Sequence, residues 1–515
     1  FDCVGSPGDT AALILEKDND RTNLYLFRYW DYENSLAQSL STKVMREFQE
    51  PQLDWSLIDR LFDAEKNNQK DETQKSAALA ALRQPFTVIT GGPGTGKTTI
   101  VLKILLLMIE FHRQSQTNSP FRYKLVAPTG KAASRLTEAI RNRKSDLLRD
   151  KVITKTQYDL INDEASTIHR LLGYIPNSIY FKHNKDNKLV LDCLIVDEAS
   201  MVDLALMSKL FSALQDGTAV ILLGDENQLA SVEAGSVLRD ICLGLGRDEK
   251  GHSAIVRLAR SYRFSSEQGI GKLSQLVNQG EGREAYRYLT ESPDVNDSSA
   301  ESDNGIVRWR ETPNPTALPG VIKDFVLPHF NDLLNAPTVN EAFDIFDQFM
   351  ILCAMRKGPY GVEEVNRTIE RLLVSQNLIK KGEDWYQGKP ILLTSNDYQL
   401  DLYNGDIGLA FQDKDSGNLK IHFKSEKGFK KYSPFRLHQY ETAFALTVHK
   451  SQGSEYKKVM LLLPPEENPV LTKELIYTGI TRARSEVLIM GEESSFIQSV
   501  ASPIQRFSGL RYKLV

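Results

Sequence analysis

The sequence predicts an α/β protein: two parallel sheets flanked by helices, a small β-module inserted in the second, and a small amino-terminal domain. Three observations predict it. From Phe86 to about Arg260, β-rich runs alternate with helical stretches: FTVIT then TTIVLKILLLMIE, YKLVAPT then KAASRLTEAI, then DCLIVDE and AVILLGD. Such alternation builds βα units around a parallel sheet. A second α/β stretch carries strand patterns at FMILCAM, FALTVH, KVMLLLP and EVLIM. Within it, from Pro390 to Arg436, short strands (PILLTS, DIGLAF, LKIHF) are separated by turn signals (SND, YNGD, DKDSGN), the texture of a small barrel or sandwich.

In chain order, residues 1–70 mix short apolar segments with polar joints and carry no chemical motif. Residues 71–260 form the first α/β domain. Residues 261–389 open the second, 390–436 are the inserted module, and 437–515 complete the second domain. Glu281 to Pro319 is rich in Pro, Ser, Asp and Asn and reads as loop or linker.

At 515 residues the chain has room for roughly three or four domains. Hydrophobic residues at 41% and charged residues at 25% exclude collagen-like and wholly disordered chains. Lys plus Arg is 63 and Asp plus Glu is 67, a net charge of −4, so a nucleic-acid site here is a local groove and not a global basic surface. Cys3, Cys193, Cys242 and Cys353 form no CxxC pair and read as free thiols in a reducing compartment. No apolar run approaches the ~20 residues of a membrane span, and no secretory signal is present, which points to the cytoplasm. The chain opens on Phe1, not Met, so its true start is expected to lie upstream.

Gly91-Gly92-Pro93-Gly94-Thr95-Gly96-Lys97-Thr98 matches the phosphate-binding pattern G-x-x-x-x-G-K-[ST], between a strand and a long helix. Glycines let successive N–H groups face phosphate oxygens, and the helix N-terminus adds positive charge. Lys97 would reach the β- and γ-phosphates and Thr98 would hold Mg²⁺. Asp197 and Glu198 end a buried strand. Two adjacent carboxylates there are costly unless a cation is near. Asp197 would complete the Mg²⁺ shell, directly or through water, and Glu198 would act as general base on the attacking water. Gln228, just past the strand AVILLGD, is placed to sense the γ-phosphate.

GGPGTGKTT, VAPTGKAASRL, STIHRLLG, LIVDEASMVD, LLGDENQLASVEAGSVL, SYRF, LTVHKSQGSEY and ELIYTGITRAR occur in this order. The set resembles the ordered motifs of the superfamily 1 helicases, in the wording of the RecD branch, over about Asp71 to Arg484. The resemblance implies two RecA-like motor domains with ATP and Mg²⁺ in the cleft between them. It implies 5′→3′ movement on single-stranded DNA, taken from the 5′-ended strand of a duplex end. The implied setting is a bacterial, cytoplasmic heterotrimer with RecB and RecC subunits (exonuclease V), acting in recombinational repair of double-strand breaks. A stand-alone helicase of the same branch, or a structural subunit with a vestigial ATPase, are the alternatives.

By the same resemblance Gln74 reads adenine and Tyr262 stacks on it. Arg263 and Arg482 reach the γ-phosphate from the second domain, so cleft closure would bring both in. Thr99, Gly453 and Glu455 join the nucleotide set. Pro128, Thr129, Gly130 and Lys131, then Thr167, His169 and Arg170, then Thr447, His449, Lys450 and Ser451 resemble the DNA-backbone contacts. The inserted module resembles an SH3-like 2B domain that helps enclose the strand, with Asn396, Tyr398, Tyr403 and Asn404 in its turns. The amino-terminal domain is expected to dock on RecC. It is shorter than the family leads one to expect, and loops near Gly244–His252 and Pro293–Asn304 look abbreviated. No nuclease-like carboxylate set is apparent, so DNA cutting is expected in a partner.

Overall fold

The computed structural model describes residues 3–18, 21–46, 54–63, 72–114, 119–175, 178–231, 235–246, 254–264, 267–291, 305–397, 399–413, 416–425 and 428–514. The first domain is a six-stranded, all-parallel sheet. Its order is Ala165–Thr167, Tyr123–Ala127, Cys193–Val196, Ala219–Gly224, Phe86–Gly91, Ile255–Leu258. Alternate residues of one strand face opposite sides: Leu194 and Val196 enter one core, Cys193 and Ile195 the other. A sheet covered on both faces needs continuous apolar runs, and the central strands read that way. Helices Lys97–Gln114 and Glu72–Arg83 cover one face, Leu204–Ser212 and Val237–Leu245 the other.

The second domain is a five-stranded parallel sheet in the order Ile306–Glu311, Ala483–Gly491, Tyr456–Leu462, Phe349–Cys353, Ala445–Thr447. Two parallel sheets, each with helices on its faces, are the RecA-like pair the sequence leads one to expect. The inserted module is a five-stranded antiparallel sheet: Gly428–Tyr432, Leu419–Ser425, Ile407–Gln412, Pro390–Leu393, Tyr440–Thr442. Ile391, Leu393, Ile421 and Phe423 build its own small core. Leu392, Leu409 and Phe411 point the other way, into the core of the second domain. The Phe343 and Phe429 rings stack at 5.3 Å across that junction.

Several boundaries differ from expectation. Glu281–Pro319 is not all linker. Helix Gly282–Glu291 buries Ala285 and Leu289, and strand Ile306–Glu311 pairs along the sheet edge beside Ala483–Gly491. Only Val307 of that strand is fully buried, so its Arg308, Arg310 and Glu311 disguise it as loop. Residues 292–304 lie outside the described residues, as do 247–253 and Tyr398. The inserted module runs on past Arg436 to Thr442, because its closing strand is a polar edge, Tyr440–Thr442.

The amino-terminal region also packs differently from a separate domain of residues 1–70. Strands Leu13–Asp18 and Arg21–Leu26 form a small hairpin sheet, but helix Phe27–Val44 sends Leu36, Ala37 and Leu40 into the first domain's core. Helix Trp55–Asp63 adds Leu57, Ile58 and Leu61 to the opposite face. Lys43 is buried and donates to the Thr218 carbonyl at 2.7 Å; burial pulls its ammonium down to about 8. Helix Leu510–Lys513 returns to this same domain. The Gly509 N–H donates to buried Glu33 at 3.0 Å, and Leu510 and Leu514 join the core beside Ile241 and Leu245. Among the described residues no helix is long and apolar enough to cross a membrane.

Leu40→Ala is expected to cost about 3 kcal/mol, the ordinary penalty for emptying a buried leucine site. Hydrogen exchange in strands Cys193–Val196 and Ala219–Gly224 should accelerate accordingly. Unchanged protection there would show that the amino-terminal helix is not part of the first domain's core.

Candidate functional site

The phosphate loop leaves the strand Phe86–Gly91 and enters the helix at Lys97. Gly94 (φ 75°) and Gly96 (φ 82°) take backbone conformations that side chains resist. Neither has room for one: a Cβ at Gly94 would overlap Arg263, and a Cβ at Gly96 would overlap the Gln74 amide. Gln74 is buried and donates from Nε2 to the Thr95 carbonyl at 3.2 Å. Lys97 is folded back on its own loop, donating to the Gly91 and Gly92 carbonyls at 2.6 and 3.0 Å.

The loop borders a cleft of about 690 Å³ between the two domains. Gln74, Pro93 to Thr99, Asp197, Glu198, Gln228, Tyr262, Arg263, Gly453, Glu455 and Arg482 all line it. Residues from seven separate stretches of sequence thus meet in one cleft. Burial and the neighbouring Glu198 push the Asp197 carboxyl above the usual carboxylate range. The Glu198 N–H donates to Asp197 Oδ1 at 2.9 Å. Glu198 itself sits at φ 50°, a left-handed conformation costly for a side-chain-bearing residue and found most often at functional sites. The Asp197 carboxylate, Lys97 and the Thr98 hydroxyl line the same cleft, a donor set that suits Mg²⁺ with phosphates.

Arg263 stands elsewhere than the sequence suggests. It was expected to arrive from the second domain. Instead its loop is fixed to the phosphate loop, with Tyr262 N–H donating to the Gly94 carbonyl at 2.8 Å and Ser261 Oγ to the Pro93 carbonyl at 3.1 Å. These short hydrogen bonds hold Arg263 on the first-domain wall before any closure. Its guanidinium turns across the cleft to Glu455, 2.9 Å away. Arg482 does come from the second domain. It is 3% exposed and donates to the Thr478 and Ser454 carbonyls. Burial pulls its guanidinium downward against the pull of Glu198 and Glu455. Burial would raise Glu455, but Arg135, Arg263 and Arg482 outweigh it and hold the carboxyl low. Tyr262 is 47% exposed at the cleft mouth, with the Arg260 guanidinium 5.2 Å from its ring centroid.

Sequence reasoning missed the residues that tie the domains together. Asp225 is 1% exposed and accepts from Gln228 Nε2 at 3.1 Å and from the Tyr477 hydroxyl at 2.9 Å. Burial raises its carboxyl. The Leu229 N–H donates to Thr478 Oγ1, and the Leu229 carbonyl accepts from Gln452 Nε2. Arg135, on helix Gly130–Arg149, donates to the Gly453 carbonyl and pairs with Glu455. All of these lie inside the quoted motifs; only their partners were invisible.

The segments expected to touch DNA converge on one turn of the inserted module. A Cβ at Gly130 would meet the Tyr403 ring at 3.2 Å. Lys450 Nζ donates to Asn404 Oδ1 at 2.8 Å, and the Asn404 N–H to Asn396 Oδ1 at 2.8 Å. The Arg170 charge faces Tyr403 and Asp401. Pro128 leads into Thr129, whose hydroxyl caps helix Gly130–Arg149; Thr167 caps Ile168–Leu172 in the same way. Burial lowers Lys131 to about 8, with Asp347 opposing, and it lowers Lys450 as well. His169 packs edge-on to Phe181, and burial lowers both His169 and His449. Thr447 Oγ1 accepts the Lys450 N–H at 3.3 Å. Ser451 is fully buried, and its hydroxyl donates to the Val448 carbonyl, so it shapes the turn from within.

A family model described as an AAA domain matches residues 74–234, and one described as a UvrD-like helicase C-terminal domain matches residues 442–490. The chain is 34% identical to the RecBCD enzyme subunit RecD of Haemophilus influenzae, over 95% of this chain and 79% of that protein. It is 37% identical to the subunit of the same name from Mycolicibacterium smegmatis, over 95% and 82%. To the ATP-dependent RecD2 DNA helicase of Deinococcus radiodurans it is 29% identical, over 88% of this chain and 52% of that one. A solved Bacteroides Pif1 helicase in complex with ADP-AlF3 and ssDNA aligns with a TM-score of 0.41 at 15% identity, over 85% and 94%. Relatives above 30% identity, matched over nearly the whole of this sequence and most of their own, show that the chain belongs to the RecD family of RecBCD enzyme subunits.

Proposed function

We propose that this chain is an ATP-driven DNA helicase that moves 5′→3′ along single-stranded DNA. It acts as the motor subunit of a heterotrimer with RecB and RecC that processes duplex ends for recombinational repair in the bacterial cytoplasm. One observation carries the reading. The catalytic set of the first domain and Arg482 of the second face a common cleft, and two further elements that line it, helix Gly130–Arg149 and the Gly453–Glu455 loop, lead to the segments that meet at Tyr403 and Asn404.

A triphosphate entering the cleft gives Lys97 a better partner than its own loop carbonyls, and the ammonium swings onto the β- and γ-oxygens. Thr98 and Asp197 would hold the Mg²⁺ that accompanies ATP, which supplies neutralisation of phosphate charge. Glu198, set apart from Asp197 by its left-handed backbone, takes the proton of the attacking water. Gln228 orients that water or reads the γ-phosphate, and its bond to Asp225 passes the result to Tyr477 of the second domain. Arg263 and Arg482 stabilise the charge on the transferring group. Gln74 and Tyr262 hold the base. Hydroxyls, amides and the cations Lys131, Arg170 and Lys450 suit a phosphate track that slides without reading sequence. The SH3-like module would close over that track, and the amino-terminal sheet would face RecC.

Strand separation tests the direction. With ATP and Mg²⁺, substrates with a 5′ single-stranded tail should unwind and those with a 3′ tail should not. Lys97→Gln should lower ATP turnover at least ~100-fold, the loss expected on removing a preorganised phosphate donor, with assembly intact. Unwinding that survives Lys97→Gln would leave a structural subunit instead.

The pH profile tests the acidic pair. Asp197 keeps its proton to higher pH than a free aspartate, so the ionised, Mg²⁺-binding form is lost earlier on acidification. The acid limb of kcat/KM should therefore lie above the free-carboxylate value of about 4. A limb at or below that value would show that Asp197 is not the group controlling activity.

A further inference from the structure

Arg135 joins three parts of the molecule at one point. It lies on helix Gly130–Arg149, whose first turn, after the Thr129 cap, packs on Tyr403 at the proposed track. Its Nη1 donates to the Gly453 carbonyl. Gly453 follows the Thr447–Ser451 turn by two residues, and the Ser454 N–H donates to the Ser451 carbonyl at 2.9 Å, so that turn and the Gly453–Glu455 loop move together. One guanidinium therefore bridges, behind the track, a segment of the first domain and a segment of the second.

The same residue touches the machinery of hydrolysis. Arg135 Nη2 lies 3.3 Å from Glu455 Oε2, and Arg263 Nη2 lies 2.9 Å from the same oxygen. Two arginines thus share one carboxylate oxygen. Arg263, the one fixed beside the phosphate loop, also keeps a buried Nη1 with no hydrogen-bond partner among the described residues. Its guanidinium is held by Glu455 and is only partly satisfied where it is. A small change in the position of Glu455 decides which arginine keeps it.

We propose that Arg135, Glu455 and Arg263 form a clasp through which DNA in the track controls the arginine that reaches the γ-phosphate. Without DNA, Glu455 holds Arg263. DNA draws helix Gly130–Arg149 and the Thr447–Ser451 turn into register, Arg135 takes Glu455, and Arg263 is released to the phosphate. Arg135 is then a positioning residue acting through Glu455. The inference rests on the reading of the chain as a DNA-dependent ATPase.

The test measures ATP turnover of the full chain with and without oligo-dT. Wild type should be stimulated by DNA. In Arg135→Ala the ratio of stimulated to basal turnover should fall at least about fivefold, the lower end of ordinary coupling between sites. In Glu455→Gln the DNA-free rate should rise, because nothing holds Arg263 back, and the ratio should fall with it. A merely structural or ligand-binding role for Glu455 cannot raise the DNA-free rate. Arg135→Lys keeps the charge but not the two-pronged grip, and should give an intermediate ratio. It carries the test if Arg135→Ala does not fold. A retained ratio in the Arg135 variants, or a DNA-free rate in Glu455→Gln at or below wild type, overturns the clasp. Absence of DNA stimulation in wild type instead overturns the functional reading beneath it.

Discussion

Leu229 has both its backbone polar groups satisfied from the other domain. Its N–H is taken by Thr478 and its carbonyl by Gln452, at 2.8 and 2.6 Å. Leu229 is 1% exposed, so water cannot stand in. A buried backbone group left unpaired costs about 1–3 kcal/mol, and two such groups lie side by side here. The buried Asp225, four residues earlier, makes the same demand and meets it with Tyr477. The exit of strand Ala219–Gly224 therefore cannot be complete without the second domain docked on it. The shape of the nucleotide cleft follows. Docking at Leu229 sets helix Lys473–Ile480, and that helix sets where Arg482 enters.

The central strands were legible because a parallel sheet covered on both faces leaves no place for polar residues. Leu194 to Val196 and Val220 to Leu223 could be little else. Three edge strands were not. Ala165–Thr167, Ile306–Glu311 and Tyr440–Thr442 each keep one side in solvent, so their polar residues read as loop. The site divides in the same way. Within a motif, spacing fixes chemistry: the loop Gly91–Thr98 and the pair Asp197–Glu198 announce themselves. Between motifs, spacing is silent. The Leu229–Thr478 bond spans 249 positions and the Arg135–Gly453 bond 318, and nothing local marks either partner. Arg263 shows the hazard of inferring sides from order. It follows the first sheet in sequence yet remains pinned to that domain's loop.

The phosphate loop is braced by its own neighbours. Lys97 borrows the Gly91 and Gly92 carbonyls, and Gln74 secures Thr95. The glycines make this compactness possible. Where Gly94 and Gly96 lack side chains, Arg263 and Gln74 press directly on the backbone. The groups proposed to hold the base and the groups proposed to hold the phosphate are thus packed on the same few atoms. A bulkier loop would separate them.

Helix Leu510–Lys513 lies on the first domain, beside helix Phe27–Val44, after the chain has built the whole second domain. The polypeptide therefore crosses between the domains twice, once after strand Ile255–Leu258 and once before Gly509. Two crossings act as the two pins of a door. The cleft can swing open and shut, while twisting one domain about the other strains both connections. They also keep the domains at high effective concentration when the contacts at Leu229 and Glu455 are broken. Each cycle of opening then ends in recapture of the same partner surface, at a rate set by the tether and independent of how much protein is in solution.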